Sequence, residues 1–304
     1  MTDAALLRPG HLLRRLDPAA GDGRPPAPFV VGASRSGTTL LRLMLDAHPD
    51  LAIPPETHFV QRLVRKQRRW PDPAAGFVAS LADGDEWPEF GLDRDELRRR
   101  VGSLSPFDLG AALRVFYALY AERFGKTRWG DKTPGYLNQM TTIQQLLPEA
   151  RFVHLIRDGR DVGLSVAALP FGPEDLDAAP GWWAERIGNA RAQAPSLHAY
   201  LEVRYEDLVL APEPTLRDVA AFLDLPWCDA MLDYHHGAGQ RFGDDVSGTP
   251  PSIHARTAEP PDRQRIGRWQ REMDDDTVAR FEQVVGDLLT DLGYPLRQPA
   301  EHAQ

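Results

Sequence analysis

The run Val31-Gly32-Ala33-Ser34-Arg35-Ser36-Gly37-Thr38-Thr39-Leu40 joins a wholly apolar stretch, Phe29-Val30-Val31, to a segment of helical character over 38–47. A buried strand that hands over to a helix through glycines and hydroxyls is the setting of a phosphate loop. Gly32 and Gly37 permit a tight turn with backbone N–H groups turned inward, the helix N-terminus favours an anion, and Ser36, Thr38 and Thr39 add hydroxyl donors. The spacing from Gly32 to Gly37 equals that of ATP and GTP loops, yet Thr38 stands where those loops carry lysine. Without that lysine, and without an evident acidic magnesium ligand downstream, cleavage between β- and γ-phosphates is poorly supported. Arg35 offers a planar fork suited to a single phosphate or sulfate.

Other blocks carry side chains of comparable promise. Glu56 follows Pro54-Pro55, whose fixed backbone projects it from a rigid turn beyond the first helix, and His58 stands two residues later. The imidazole has the better ordinary pKa for proton transfer near neutrality, ~6.5. Lys132 lies within Gly130-Asp131-Lys132-Thr133-Pro134 and is one of three lysines, with Lys66 and Lys126, among 35 basic residues. A lysine kept in a chain so rich in arginine is more informative than any single arginine. Arg157-Asp158-Gly159-Arg160 with Ser165, then Tyr205-Glu206-Asp207-Leu208-Val209, then Arg268-Trp269 complete the set.

The elements that must position these residues alternate. Apolar strands are expected at 29–31, 151–156 and 200–205, and helices over 38–47, 158–168 and from Pro212 through Phe222. Right-handed crossovers make this a three-layer α/β fold with a parallel sheet and a phosphate-loop-like nucleotide-binding core. The stretch 70–105, rich in Asp, Glu, Pro and Gly, reads as an inserted helical lid. An amphipathic helix over 108–124 carries Leu113, Phe116, Tyr117 and Tyr120 on its core face. A polar loop is expected over 237–263 and a closing helix over 274–292. Residues 1–27 read as a flexible arm, 28–297 as one domain, and 298–304 as a tail.

Taken in order, and with Met44-Leu45-Asp46-Ala47-His48-Pro49 after the first block, these motifs resemble the sulfotransferases that use 3′-phosphoadenosine-5′-phosphosulfate (PAPS). The tyrosylprotein branch is the most similar. The resemblance implies that Arg35, Ser36, Gly37, Thr38 and Thr39 hold the 5′-phosphosulfate, and that Arg157 and Ser165 hold the 3′-phosphate. Arg157 ends a strand and Ser165 lies two helical turns on, so one phosphate can meet both. Tyr205 joins the nucleotide site, and Arg268 closes over it. Glu56 matches the catalytic glutamate and serves as general base, with His58 as its competitor because other branches use histidine. Lys132 acts with Arg35 on charge at the bridging oxygen. PAPS is the sulfuryl donor, and no metal is required. Two rival readings stand beside this one. Thr38 argues against a small-molecule kinase on the same sheet, while Glu56 and Lys132 argue against a nucleotide-binding protein without chemistry.

The acceptor is less defined: a tyrosine or other phenol, a glycan or a small metabolite. Where the tyrosylprotein branch has a basic residue two positions after the glutamate this chain has His58, and Arg62 matches the next basic position. A net charge of −9 over 304 residues argues against broad nucleic-acid binding. Cys228 has no second cysteine to pair with, and no apolar run reaches bilayer length, so a cytoplasmic protein without membrane contact is expected. Monomer and homodimer both stay open.

Overall fold

The computed structural model describes residues 14–16, 23–167, 169–236 and 259–297. Strands β1 (Arg14–Leu16) and β2 (Ala27–Gly32) lead through the 33–37 turn into α1 (Thr38–Asp46). After β3 (Leu51–Ala52) come α2 (Val60–Lys66), α3 (Pro73–Ala82), α4 (Trp87–Phe90), α5 (Arg94–Gly102) and the longer α6 (Leu109–Glu122). The chain returns through β4 (Arg128–Trp129), β5 (Asp131–Lys132), α7 (Met140–Leu146), β6 (Ala150–Ile156), α8 (Gly159–Val166) and α9 (Ala179–Gln193). It ends with β7 (Tyr200–Arg204), α10 (Tyr205–Leu210), α11 (Pro212–Phe222), α12 (Trp269–Glu272) and α13 (Asp275–Asp291).

The main sheet has the order β1-β7-β6-β2-β5, parallel throughout except for β1, which runs antiparallel to β7. Period-two alternation divides its side chains between two cores. Phe29, Val31 and Phe152 face α6 with Phe116 and Tyr117, whereas Val30, Val153 and Leu201 face α1 and α11 with Leu41, Leu216 and Phe222. A third cluster gathers Ile156, Trp183, Trp269 and Phe281 near the carboxyl end of β6. All six residues of β2 are buried, as a central parallel strand with both faces covered requires.

Three expectations need correction. Residues 70–105 are helical, but they form no detached lid: Phe77, Leu81, Phe90, Leu97 and Val101 enter the same core as Phe29 and Phe116. Edge-on rings of Phe59 and Phe90 meet Phe116 with centroids 5.1 and 5.0 Å away. The acidic residues that give this stretch a loop-like composition include helix caps, since Asp72 and Asp93 accept from the amides of Ala75 and Glu96. The expected arm contains β1, which backbone pairing of Arg14 with Glu202 adds to the sheet edge. A helical turn, α10, also stands between β7 and α11 where none is expected. The expected tail 298–304 and most of the expected 237–263 loop, through residue 258, lie outside the described residues.

Candidate active site

β2 runs to Gly32 beside Leu155 of β6, so closely that a β-carbon at Gly32 would lie 2.6 Å from the Leu155 carbonyl oxygen. The following turn leaves β-type geometry. Arg35 has φ 71° and Gly37 has φ 94°; the first is a strained arrangement for a residue with a side chain, of the kind found where a loop is shaped for a ligand. A side chain at Gly37 would run into the Tyr205 ring, which floors the turn. α1 has no side-chain cap and no acidic residue in its first turn, so its amides and positive end are left for an anion. Ser36 Oγ is buried and meets no protein partner.

On the neighbouring strand, parallel pairing sets Val30 against Lys132 and Phe29 against Asp131. This places the Lys132 ammonium at the mouth of the loop, 3.4 Å from Thr39 Oγ1 and 2.5 Å from Glu56 Oε1. Glu56 Oε2 lies 2.9 Å from His58 Nε2, with the backbone of His58 at φ 46°. Lys132, Glu56 and His58 therefore form a continuous line. Desolvation acts to raise the Glu56 pKa, but Lys132 and the His58 hydrogen bond outweigh it and hold the carboxyl at about 2. The Glu56 hydrogen bond lifts the His58 imidazole above its ordinary value. Burial lowers Lys132 against the pull of Glu56, because this side chain is only 4% exposed.

A second basic cluster forms beyond β6. Arg157 donates to the carbonyls of Arg35 at 3.3 Å and Arg265 at 2.5 Å, and to Asp161 at 3.3 Å, with its guanidinium 4.7 Å above the Tyr205 ring. Its Nε is buried without a partner. Ser165 lies 3.5 Å from Arg268, which is otherwise paired with Glu272. An open pocket of about 300 Å³ lined by Asp262, Gln264, Arg265, Arg268, Arg271 and Glu272 adjoins them. The orphaned Ser36 hydroxyl and Arg157 Nε, set at two linked clusters, fit the two anionic ends of a doubly phosphorylated nucleotide.

The structure thus brings Lys132, Glu56 and His58 together at the phosphate loop and gathers Arg157, Ser165, Tyr205 and Arg268 beside it. Arg35 joins the two groups through its carbonyl. Arg160, in the same motif as Arg157, is a core residue: fully buried, it stacks 3.7 Å over Trp269 and pairs with Asp158 and Glu282. Sequence reasoning missed Asp161, whose carboxylate accepts the amides of Gly267 at 2.8 Å and Trp269 at 3.0 Å and so fixes the backbone on both sides of Arg268. It also missed Thr57, which is buried and hydrogen-bonded to Asp131.

A fold of this topology with two such anion-binding clusters at the carboxyl ends of adjacent parallel strands is the architecture of a nucleotide-binding α/β protein. The profile described as "Sulfotransferase family" matches residues 26–229, more than half of the chain, and the chain belongs to that family. It is 26% identical over 293 residues to the protein-tyrosine sulfotransferase of Drosophila melanogaster, covering 92% of this chain and 54% of that protein. It is 27% identical over 277 residues to protein-tyrosine sulfotransferase 1 of Danio rerio, covering 88% and 72%. The chain therefore spans about half the length of the first relative. Among solved structures, the sulfotransferase domain from the Synechococcus PCC 7002 olefin synthase superposes with a TM-score of 0.59 at 24% identity, covering 91% of this chain and 98% of that one. The sulfotransferase domain from the curacin biosynthetic pathway gives 0.61 at 21%, covering 90% and 99%. These last two likenesses speak to the fold.

The second cluster carries a direct test. Arg157→Ala is expected to weaken adenosine 3′,5′-bisphosphate by about 1.5 to 3 kcal/mol, the worth of a charge-assisted contact, and to leave adenosine 5′-phosphosulfate nearly unchanged. Isothermal titration with both nucleotides decides it, and equal losses for both would remove Arg157 from the 3′-phosphate site.

Proposed function

We propose that this chain transfers a sulfuryl group from PAPS to an acceptor hydroxyl, and that the acceptor is a tyrosine in an acidic peptide. The observation that carries the reading is the Lys132–Glu56 contact at the mouth of a phosphate loop that lacks the nucleotide-hydrolase lysine. When bound, PAPS supplies an activated sulfuryl group with a phosphate as leaving group. Ser36 Oγ and the first amides of α1 bind that end of the donor, while Arg157 and Ser165 bind the other. Lys132 places its charge beside the leaving oxygen. Glu56 accepts the acceptor's proton on its carboxylate.

Support for a tyrosine acceptor comes from the names of the relatives and from charge. Arg65 and Lys66 on α2, with Arg68 and Arg69 in the turn after it, are exposed and give a chain of net charge −9 a local basic surface that begins seven residues beyond His58, while Arg62 in between is half-buried and faces Glu86. Incubation with ³⁵S-labelled PAPS and an acidic tyrosine peptide tests both parts, using its phenylalanine counterpart, a simple phenol and a glycan for comparison. Label in the tyrosine peptide alone supports the full reading; label only in the phenol or glycan overturns the acceptor; no adenosine 3′,5′-bisphosphate with any of them overturns sulfuryl transfer. Thermal stabilisation by adenosine 3′,5′-bisphosphate and not by ATP with magnesium separates the reading from a kinase, because a ligand at ~100 times its dissociation constant adds ~2.7 kcal/mol.

A further inference from the structure

Glu56 and Thr57 are neighbours on one loop, and Asp131 and Lys132 are neighbours on β5. Successive residues of a strand face opposite ways, so Lys132 meets Glu56 on the side of α1 while Asp131 points to the side of α6. There it meets Thr57. Thr57 is fully buried, and its hydroxyl donates to Asp131 Oδ2 at 2.7 Å. Two consecutive loop residues thus grip two consecutive strand residues from opposite faces.

The hydrogen bonds around Thr57 have a single consistent direction. A threonine hydroxyl has one hydrogen, and here it goes to Asp131, so Tyr136 must donate to Thr57 Oγ1 across 2.8 Å. Tyr136 in turn accepts from the amide of Val60 at 3.2 Å. Tyr117, stacked on Trp129, donates to the same Asp131 oxygen at 2.9 Å. The Thr57 amide donates to Thr133 Oγ1 at 3.0 Å, so the two residues beyond Glu56 on the loop side and beyond Lys132 on the strand side are also joined. The Thr57 and Tyr117 hydroxyls end on the same oxygen of one buried carboxylate. The hydroxyls of Thr57, Tyr117 and Tyr136 all find partners in this arrangement, which loads Asp131 Oδ2 and leaves Oδ1 buried without one, and the main chain that carries Glu56 is tied to it.

We propose that Thr57 and Asp131 are positioning residues for the transfer reaction: their buried hydrogen bond sets where the Glu56 carboxylate stands relative to Lys132 and the acceptor. This rests on the reading of Glu56 and Lys132 given above. Neither residue touches substrate; they act through the backbone of the 56–58 loop and through β5.

The test uses Thr57→Val, which keeps the shape and removes the hydroxyl, with Thr57→Ser as the variant that restores it. Turnover of PAPS with the acidic tyrosine peptide is expected to fall about 10- to 100-fold in Thr57→Val, the scale of a displacement near 1 Å at a reacting group. Thr57→Ser should stay within about threefold of wild type, and affinity for adenosine 3′,5′-bisphosphate should stay within about twofold in both, since the network does not reach the phosphate loop. An NMR titration of His58 gives a second readout that needs no acceptor, because His58 reports the nearness of Glu56. In Thr57→Val its midpoint should move toward that of Glu56→Gln, and in Thr57→Ser it should not. If the Val variant lowers melting temperature but leaves saturated turnover and the His58 midpoint as in wild type, Thr57 only stabilises the fold and the proposal fails. It also fails if the losses from Thr57→Val and Glu56→Gln multiply, because a residue acting through Glu56 has nothing to act on once the carboxylate is gone. Should wild type bind no adenosine 3′,5′-bisphosphate while the His58 midpoint still responds to Thr57→Val, the donor reading is lost and the positioning of Glu56 stands.

Discussion

Replacing Glu56 by glutamine should lower turnover about 10²- to 10⁴-fold while leaving affinity for adenosine 3′,5′-bisphosphate intact, as removal of a proton acceptor without loss of shape implies. The amide still accepts from Lys132 but cannot take the acceptor's proton. Because Lys132 and His58 hold Glu56 at about 2 against desolvation, the carboxylate is ionised across the neutral range, and its own titration does not set the acid side of the rate profile. His58 does. Below its raised folded pKa the ring is an imidazolium that binds Glu56 as an ion pair; as pH rises through that value the ring becomes neutral and its hold weakens. The rate should therefore climb with pH through a midpoint above the ordinary imidazole value. The folded-state stability of this contact runs the other way, complete below the unfolded imidazole pKa of ~6.5 and lost as pH rises through the raised one. His58→Ala should remove this acid limb and cost far less turnover than Glu56→Gln. A rate profile across pH for wild type and both variants checks it. Loss of turnover in His58→Ala with Glu56→Gln near wild type would make His58 the base.

Much of this geometry can be read from local pattern. β2, the glycine turn and α1 announce themselves through an apolar triplet, two glycines and four hydroxyls within eleven residues, from Phe29 to Thr39, and the structure places Ser36 and Lys132 on that junction. Helix and strand periods are local, so β6, α8, β7 and α13 fall within a few residues of expectation. Acidic residues were harder to interpret. An aspartate reads as loop composition until the amide it caps is known, which is why α3 to α5 looked like a lid when Asp72 and Asp93 were only beginning helices that feed the core. The bonds that aim the site left no local trace. Thr57 reaches Asp131 across 74 positions, and Asp161 reaches Gly267 and Trp269 across 106 and 108. A threonine between a glutamate and a histidine carries no periodic signal, and its role appears only once β5 lies beside the loop.

Lys132→Met should reduce kcat about 10²- to 10³-fold, the usual effect of removing one preorganised charge from the site where negative charge develops. The donor KM should change far less. Methionine is chosen because the side chain is buried on the α1 side of β5, and a shorter residue would add a cavity to the loss of charge. Lys132 is well suited to a transition-state role: burial lowers its pKa, so the ammonium is already poorly solvated and gains by meeting a new anionic oxygen. In the free protein Glu56 supplies that countercharge at 2.5 Å. When charge grows on the leaving oxygen, the same ammonium can turn toward it and release the carboxylate that must take the proton. The variant separates the two effects. Without Lys132, Glu56 loses its strongest stabilising partner, so its pKa rises from about 2 and the carboxylate becomes a stronger base. Turnover should fall all the same, because a better base does not replace the missing charge on the leaving group. Lys132→Arg should not restore it, since a forked guanidinium does not fit a buried slot shaped for a single ammonium between Thr39 and Glu56. Saturation kinetics in PAPS at fixed acceptor distinguish the outcomes: a collapse of donor affinity with kcat preserved would make Lys132 a binding residue and leave Arg35 to meet the leaving oxygen.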